Sequence, residues 1–200
     1  MKDITKGFKN FEMVLMEHMK TVYILHGWGF DSNMPWIKWL EAELKEKGFE
    51  VHAFDMPNTK EPKIEDWVGY LEENIKNLDE KTFFVGHSIG CQTIMRFLEK
   101  SYKHLKVGGC VFVAPWLDLI GLKSEELKIA HPWLSNKIEL ERVLDHTGNI
   151  TCIFSTNDQF VSPKEWKKFE VGLGGKIIIK KDEGHFEEVE RIPEILNELK

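Results

Sequence analysis

Thr82-Phe83-Phe84-Val85-Gly86-His87-Ser88-Ile89-Gly90-Cys91 is the stretch that decides the fold. Its first four residues form an apolar, β-favouring run, and a helical pattern carrying Ile89, Ile94, Met95 and Leu98 begins directly after Ser88. Between them stands Gly-His-Ser-Ile-Gly, a G-x-S-x-G pentapeptide. A serine on so sharp a strand-to-helix turn has a strained backbone, and the flanking glycines let strand and helix approach each other. Its hydroxyl then stands above a sheet, at the positive end of a helix. The plainer alternative makes Ser88 a helix N-cap. Placement between strand and helix favours the nucleophile.

The same alternation extends outward in both directions. Short, nearly continuous apolar runs predict strands at Val22–Leu25, Val51–Phe54, Thr82–Val85, Val107–Val113, Ile150–Ser155 and Lys176–Lys180. Helical spacing separates them. Trp36, Leu40 and Leu44 recur between Pro35 and Gly48, and Ile64, Trp67, Val68, Leu71, Ile75 and Leu78 form a second stripe. Ser162-Pro163-Lys164-Glu165 reads as a capping box with proline at the first helical position. The pattern predicts an α/β fold: a three-layer α/β/α sandwich around a parallel sheet of about six strands. At 200 residues it fits one domain, with residues 1–20 an N-terminal extension and residues 115–148 a connection long enough to be a small cap.

In such folds the site lies at the carboxyl ends of the strands, and that rule selects the loops to search. A serine alcohol needs a base to take its proton. His185 follows the last predicted strand, in Asp182-Glu183-Gly184-His185-Phe186. The base in turn needs an acid to fix its tautomer. Asp158, just past Ile150–Ser155, is preferred because its loop is short and its strand adjoins that of His185; Asp118, past Val107–Val113, is the rival. In His26-Gly27-Trp28-Gly29 the backbone N–H of Trp28, with that of Ile89, is the expected oxyanion hole. Trp28, Trp116 and Trp133 are candidates to line an apolar acyl pocket.

With these residues the chain resembles the α/β-hydrolase superfamily, and more narrowly the small serine hydrolases related to retinoblastoma-binding protein. The narrower likeness rests on His26-Gly27-Trp28-Gly29 leading to Pro35-Trp36, and on Asp55-Met56-Pro57-Asn58 with Glu65-Asp66-Trp67. Gly86 to Cys91, Thr156-Asn157-Asp158 and Gly184-His185-Phe186 complete it. The resemblance implies a Ser88, Asp158 and His185 triad, a small cap, no metal and no cofactor, but carries little substrate information; a small-molecule ester is the leading expectation. A thioester or amide substrate, or a binding module that keeps the scaffold without turnover, stays open.

Composition narrows the partners. The net charge is −6 with Lys and Arg scattered, which leaves no footprint for a nucleic-acid backbone. No stretch approaches the ~20 apolar residues of a membrane span. Glu12, Glu17 and His18 interrupt any signal-peptide core, and the three widely spaced cysteines read as buried thiols, so a cytoplasmic protein is expected. Monomer and homodimer fit the sequence equally.

Overall fold

The computed structural model describes residues 19–102 and 104–199. The expectations placed on residues 1–18 lie outside the described residues. Among the described residues six strands, β1 (Thr21–Leu25), β2 (Glu50–Phe54), β3 (Thr82–His87), β4 (Gly109–Val113), β5 (Ile150–Ser155) and β6 (Lys176–Lys180), form one sheet in the order β2-β1-β3-β4-β5-β6. Every pairing is parallel. Every residue of β3, β4 and β5 is buried, whereas β2 and β6, at the edges, are partly open. Burial of both faces explains why the central strands read as unbroken apolar runs.

Among the described residues seven helices connect and flank these strands: α1 (Pro35–Glu46), α2 (Ile64–Asn74), α3 (Ile89–Lys100), α4 (Ser124–Ser135), α5 (Leu140–Leu144), α6 (Pro163–Leu173) and α7 (Glu194–Glu198). The chain runs outward from β1 to β2, then turns back past β1 to β3 and onward to β6. Right-handed crossovers therefore put α1 on one face and α2, α3 and α6 on the other. The reversal falls between β1 and β3, where a crevice opens at the carboxyl edge. Trp36, Leu40 and Leu44 of α1 and Trp67, Val68 and Leu71 of α2 are fully or almost fully buried. Each such side chain contributes about 1.5–3 kcal/mol or more of transfer free energy.

Three boundaries differ from the sequence pattern by two residues or more. β3 runs on through His87, so the strand ends at the turn itself. β4 starts at Gly109: the Val107 N–H donates away from the sheet to the His146 carbonyl, and the Gly108 N–H makes the first bond to β3, at the Thr82 carbonyl. α2 stops at Asn74, and Ile75 packs into the core from the connection beyond it. Among the described residues no helix is long and apolar enough to cross a membrane.

Candidate active site

The turn after β3 is tightly constrained. Ser88 has φ 52° and ψ −116°, a region that costs a non-glycine residue about 1–3 kcal/mol. Surrounding bonds hold it there: its N–H donates to the Val113 carbonyl (2.9 Å) and its carbonyl accepts from the Cys91 N–H (3.0 Å). Gly86 and Gly90 are required by close approach. A Cβ on Gly86 would stand 2.8 Å from the Cys91 nitrogen, and one on Gly90 would stand 2.7 Å from the His26 carbonyl oxygen.

The register of the sheet brings three strand-end loops to this turn. Ser88 Oγ lies 2.9 Å from His185 Nε2, and His185 Nδ1 lies 2.8 Å from Asp158 Oδ2. The carboxylate accepts from Nδ1–H, which leaves Nε2 free to accept the serine proton. Asp158 Oδ1 also accepts from the N–H groups of Phe160 (2.8 Å) and Val161 (3.0 Å), so its carboxylate is fixed on both oxygens. The Asp158 side chain is 1% exposed and that of His185 6%. Asn157 ties the two loops, accepting from the Ser155 hydroxyl (2.8 Å) and the Gly184 N–H (2.7 Å). Asp118 does not join them. It is an exposed ion-pair partner of Lys168.

Two buried histidines outside the expected triad support the arrangement. His87 Nε2–H donates to the carbonyl of His185 (2.7 Å), pinning the loop that carries the imidazole. Its Nδ1 is buried without a partner, and burial above all pushes its pKa down to about 3, so it stays neutral. His26 spans two other loops: Nε2 accepts from the Met56 N–H (2.9 Å), and Nδ1–H donates to the Gly27 carbonyl (2.8 Å). Burial lowers its pKa too. Adjacency to Ser88 was the only signal for His87, and β1 termination the only one for His26.

Among the described residues, no protein acceptor engages the backbone N–H of Trp28 or of Ile89. A cleft of about 410 Å³ opens over Ser88 and His185, walled by Trp28, Phe30, Leu119, Leu122, Ile129 and Phe160. Trp116 and Trp133 do not line it, which corrects their place in the expected acyl pocket. Both are 1% exposed. Trp133 donates its indole N–H to the Pro62 carbonyl (2.9 Å), and Trp116 donates to Ser88 Oγ (3.2 Å), so each polar edge is turned inward. Glu165 also differs from its capping role. Its Oε2 accepts from the N–H groups of Leu117 (2.6 Å) and Asp118 (3.1 Å). Among the described residues no three His, Cys, Asp or Glu side chains gather as a metal site.

A family model described as serine hydrolase matches residues 22–196. The Bacillus subtilis (strain 168) protein YdeN, described as a hydrolase, is 28% identical over 171 residues, covering 86% of this chain and 88% of its own. Its crystal structure superposes with a TM-score of 0.78 at 27% identity, over 90% of this chain and 98% of that one. The serine hydrolase RBBP9 of Rattus norvegicus is 26% identical over 168 residues, covering 82% of this chain and 85% of its own. Carboxylesterase CesB of Bacillus subtilis, at 17% identity, shares the fold with a TM-score of 0.60, over 90% of this chain and 81% of that one.

Proposed function

The chain belongs to the serine hydrolase family, and from that premise we propose that it cleaves small, uncharged carboxylic esters through an acyl-enzyme on Ser88. The observation that carries this reading is the unbroken line from Ser88 Oγ through His185 to Asp158, with both bonds under 3 Å and every group buried.

Ser88 Oγ attacks the acyl carbon as His185 Nε2 takes its proton. The carbonyl oxygen becomes an oxyanion held by the N–H groups of Trp28 and Ile89, each such donor being worth about 3 kcal/mol in the transition state. His185 then protonates the leaving alkoxide, and the acyl group stays on Ser88. Water, deprotonated by His185, attacks that ester and releases the acid. Asp158 stays ionised throughout, stabilising the imidazolium and fixing its tautomer. Residues 115–148 serve as the cap, supplying Leu119, Leu122 and Ile129 to the acyl wall.

Charge at the cleft supports a neutral substrate over a polyanionic thioester. Glu125, Glu126 and Glu187 line it against one ammonium, that of Lys60. Carboxylates around the mouth repel a leaving group that carries phosphates. The test is a panel of esters, amides and coenzyme A thioesters graded by acyl length, run beside Ser88→Ala. Neutral esters should exceed the matched coenzyme A thioester by at least about 10-fold in kcat/KM. Faster turnover of the thioester or the amide, or activity surviving in Ser88→Ala, would overturn the assignment.

A further inference from the structure

We propose that Trp116 is a catalytic residue: its indole N–H acts as a fixed donor to the nucleophile's own oxygen. The proposal rests on the reading of Ser88 as nucleophile. Trp116 Nε1 lies 3.2 Å from Ser88 Oγ, and among the described residues that oxygen is its only polar partner. A serine hydroxyl has one proton and two lone pairs. The proton points to His185 Nε2, and a lone pair receives the indole. Oγ is therefore held from two sides, in the one rotamer from which attack occurs.

The surroundings show that this indole is held in place by more than packing. Ala114, two residues earlier and just past the end of β4, has φ 47°, in the left-handed region. The Trp116 carbonyl accepts from Gln92 Nε2 at 2.6 Å, and the next two N–H groups go to the buried Glu165 carboxylate. The Gln92 amide is itself oriented. Arg96 can only donate, so it claims Gln92 Oε1 (3.1 Å) and leaves the amide NH₂ for Trp116. Arg96 also donates to the carbonyls of Trp133 (3.0 Å) and Asn136 (2.5 Å). All of this fixes a side chain that does not wall the substrate cleft.

The chemistry follows from where charge develops. As His185 removes the serine proton, negative charge grows on Oγ before the bond to the acyl carbon is complete. The indole N–H stabilises that charge, at a nearly buried oxygen where the low local dielectric strengthens the interaction. In deacylation Oγ is the leaving atom. It regains negative charge as the acyl bond breaks, and takes back a proton from His185. The same N–H therefore assists both halves of the cycle and contributes little to binding the neutral ester.

The test replaces Trp116 alone by 3-benzothienylalanine, a bicyclic isostere with sulfur in place of the N–H, with Trp116→Phe as a second variant. The isostere should melt within a few degrees of the wild type. It should lose about 10- to 100-fold in kcat with KM changed less than about two-fold. Its rate of Ser88 labelling by a fluorophosphonate should fall in parallel. An isostere with wild-type kcat and labelling rate overturns the proposal, and Trp116→Phe then serves to show a purely packing role through lowered melting temperature. Ser88→Ala separates the two levels: residual activity there defeats the assigned nucleophile, whereas an inactive Ser88→Ala beside a fully active isostere defeats only the role of Trp116.

Discussion

The turn from Gly86 to Gly90 and the connection beyond Asp118 face the same cleft but are built in opposite ways. Every residue of the turn is buried, and its glycines leave no room for a methyl group. The connection buries Ala130 and Trp133 from α4 but leaves Ile120 49% and Leu127 47% exposed, and it touches the cleft mainly through aliphatic side chains. The contrast follows from what each must do. Groups that make and break bonds tolerate errors well below 1 Å, so they sit on interior strand ends locked by packing and hydrogen bonds. A wall for an acyl chain needs only apolar area, which a surface connection can supply and vary. Trp116 marks the border: it begins the long connection yet is held as firmly as the turn.

If this division is right, perturbing the buried constellation should abolish chemistry, and perturbing the connection should only shift binding. The largest effect is expected from Asp158→Asn, which keeps the shape and spoils the tautomer of His185. A fall of about 10⁴-fold in kcat is expected, measured at saturating ester. Next comes Gly90→Ala. Its Cβ would press on the carbonyl oxygens of His26 and Leu25, at 2.7 and 2.8 Å, neither of which belongs to a flexible side chain. A loss of about 2–3 kcal/mol in urea unfolding is expected, with activity lost in proportion as the turn distorts.

Acid sensitivity is a smaller effect. His87 is neutral when folded, with a pKa of about 3 against an ordinary value of 6.5. The unfolded chain therefore binds a proton that the folded one refuses between those values. Stability is full above pH 6.5 and is lost as pH falls below it. Between pH 7 and 5.5 this one group should remove about 1 kcal/mol, and His87→Gln should lose less over the same interval by that amount. Equal pH slopes in the two proteins would contradict the neutral, buried state of His87. The smallest effect is expected from Leu122→Ala or Ile129→Ala, which should raise KM for longer acyl esters about two- to five-fold and leave kcat nearly unchanged. A large loss of kcat from either would erase the distinction between the two regions.

Much of this was legible in the sequence because strand ends carry the chemistry. Apolar runs located all six strands, and the loops after them held Ser88, Asp158 and His185 in the chain order of the fold. What stayed hidden were partnerships between distant segments. Glu165 stands three residues after Ser162 and reads as a capping residue, yet its carboxylate bonds backbone N–H groups at 117 and 118, which no local pattern encodes. Trp116 and Trp133 show the same limit: hydrophobicity says that an indole is buried, and says nothing of where its N–H points. Asp118 and Asp158 each follow a strand, and only the observed partners, Lys168 for one and His185 for the other, distinguish them.

Intact-mass measurement after treatment with a fluorophosphonate, followed by peptide mapping, puts Ser88 itself to the question. One adduct per chain is predicted, on Ser88, absent in Ser88→Ala and formed far more slowly in His185→Ala. A protein that hydrolyses esters while carrying no adduct, or carrying it on another residue, would contradict the assignment of Ser88 as nucleophile.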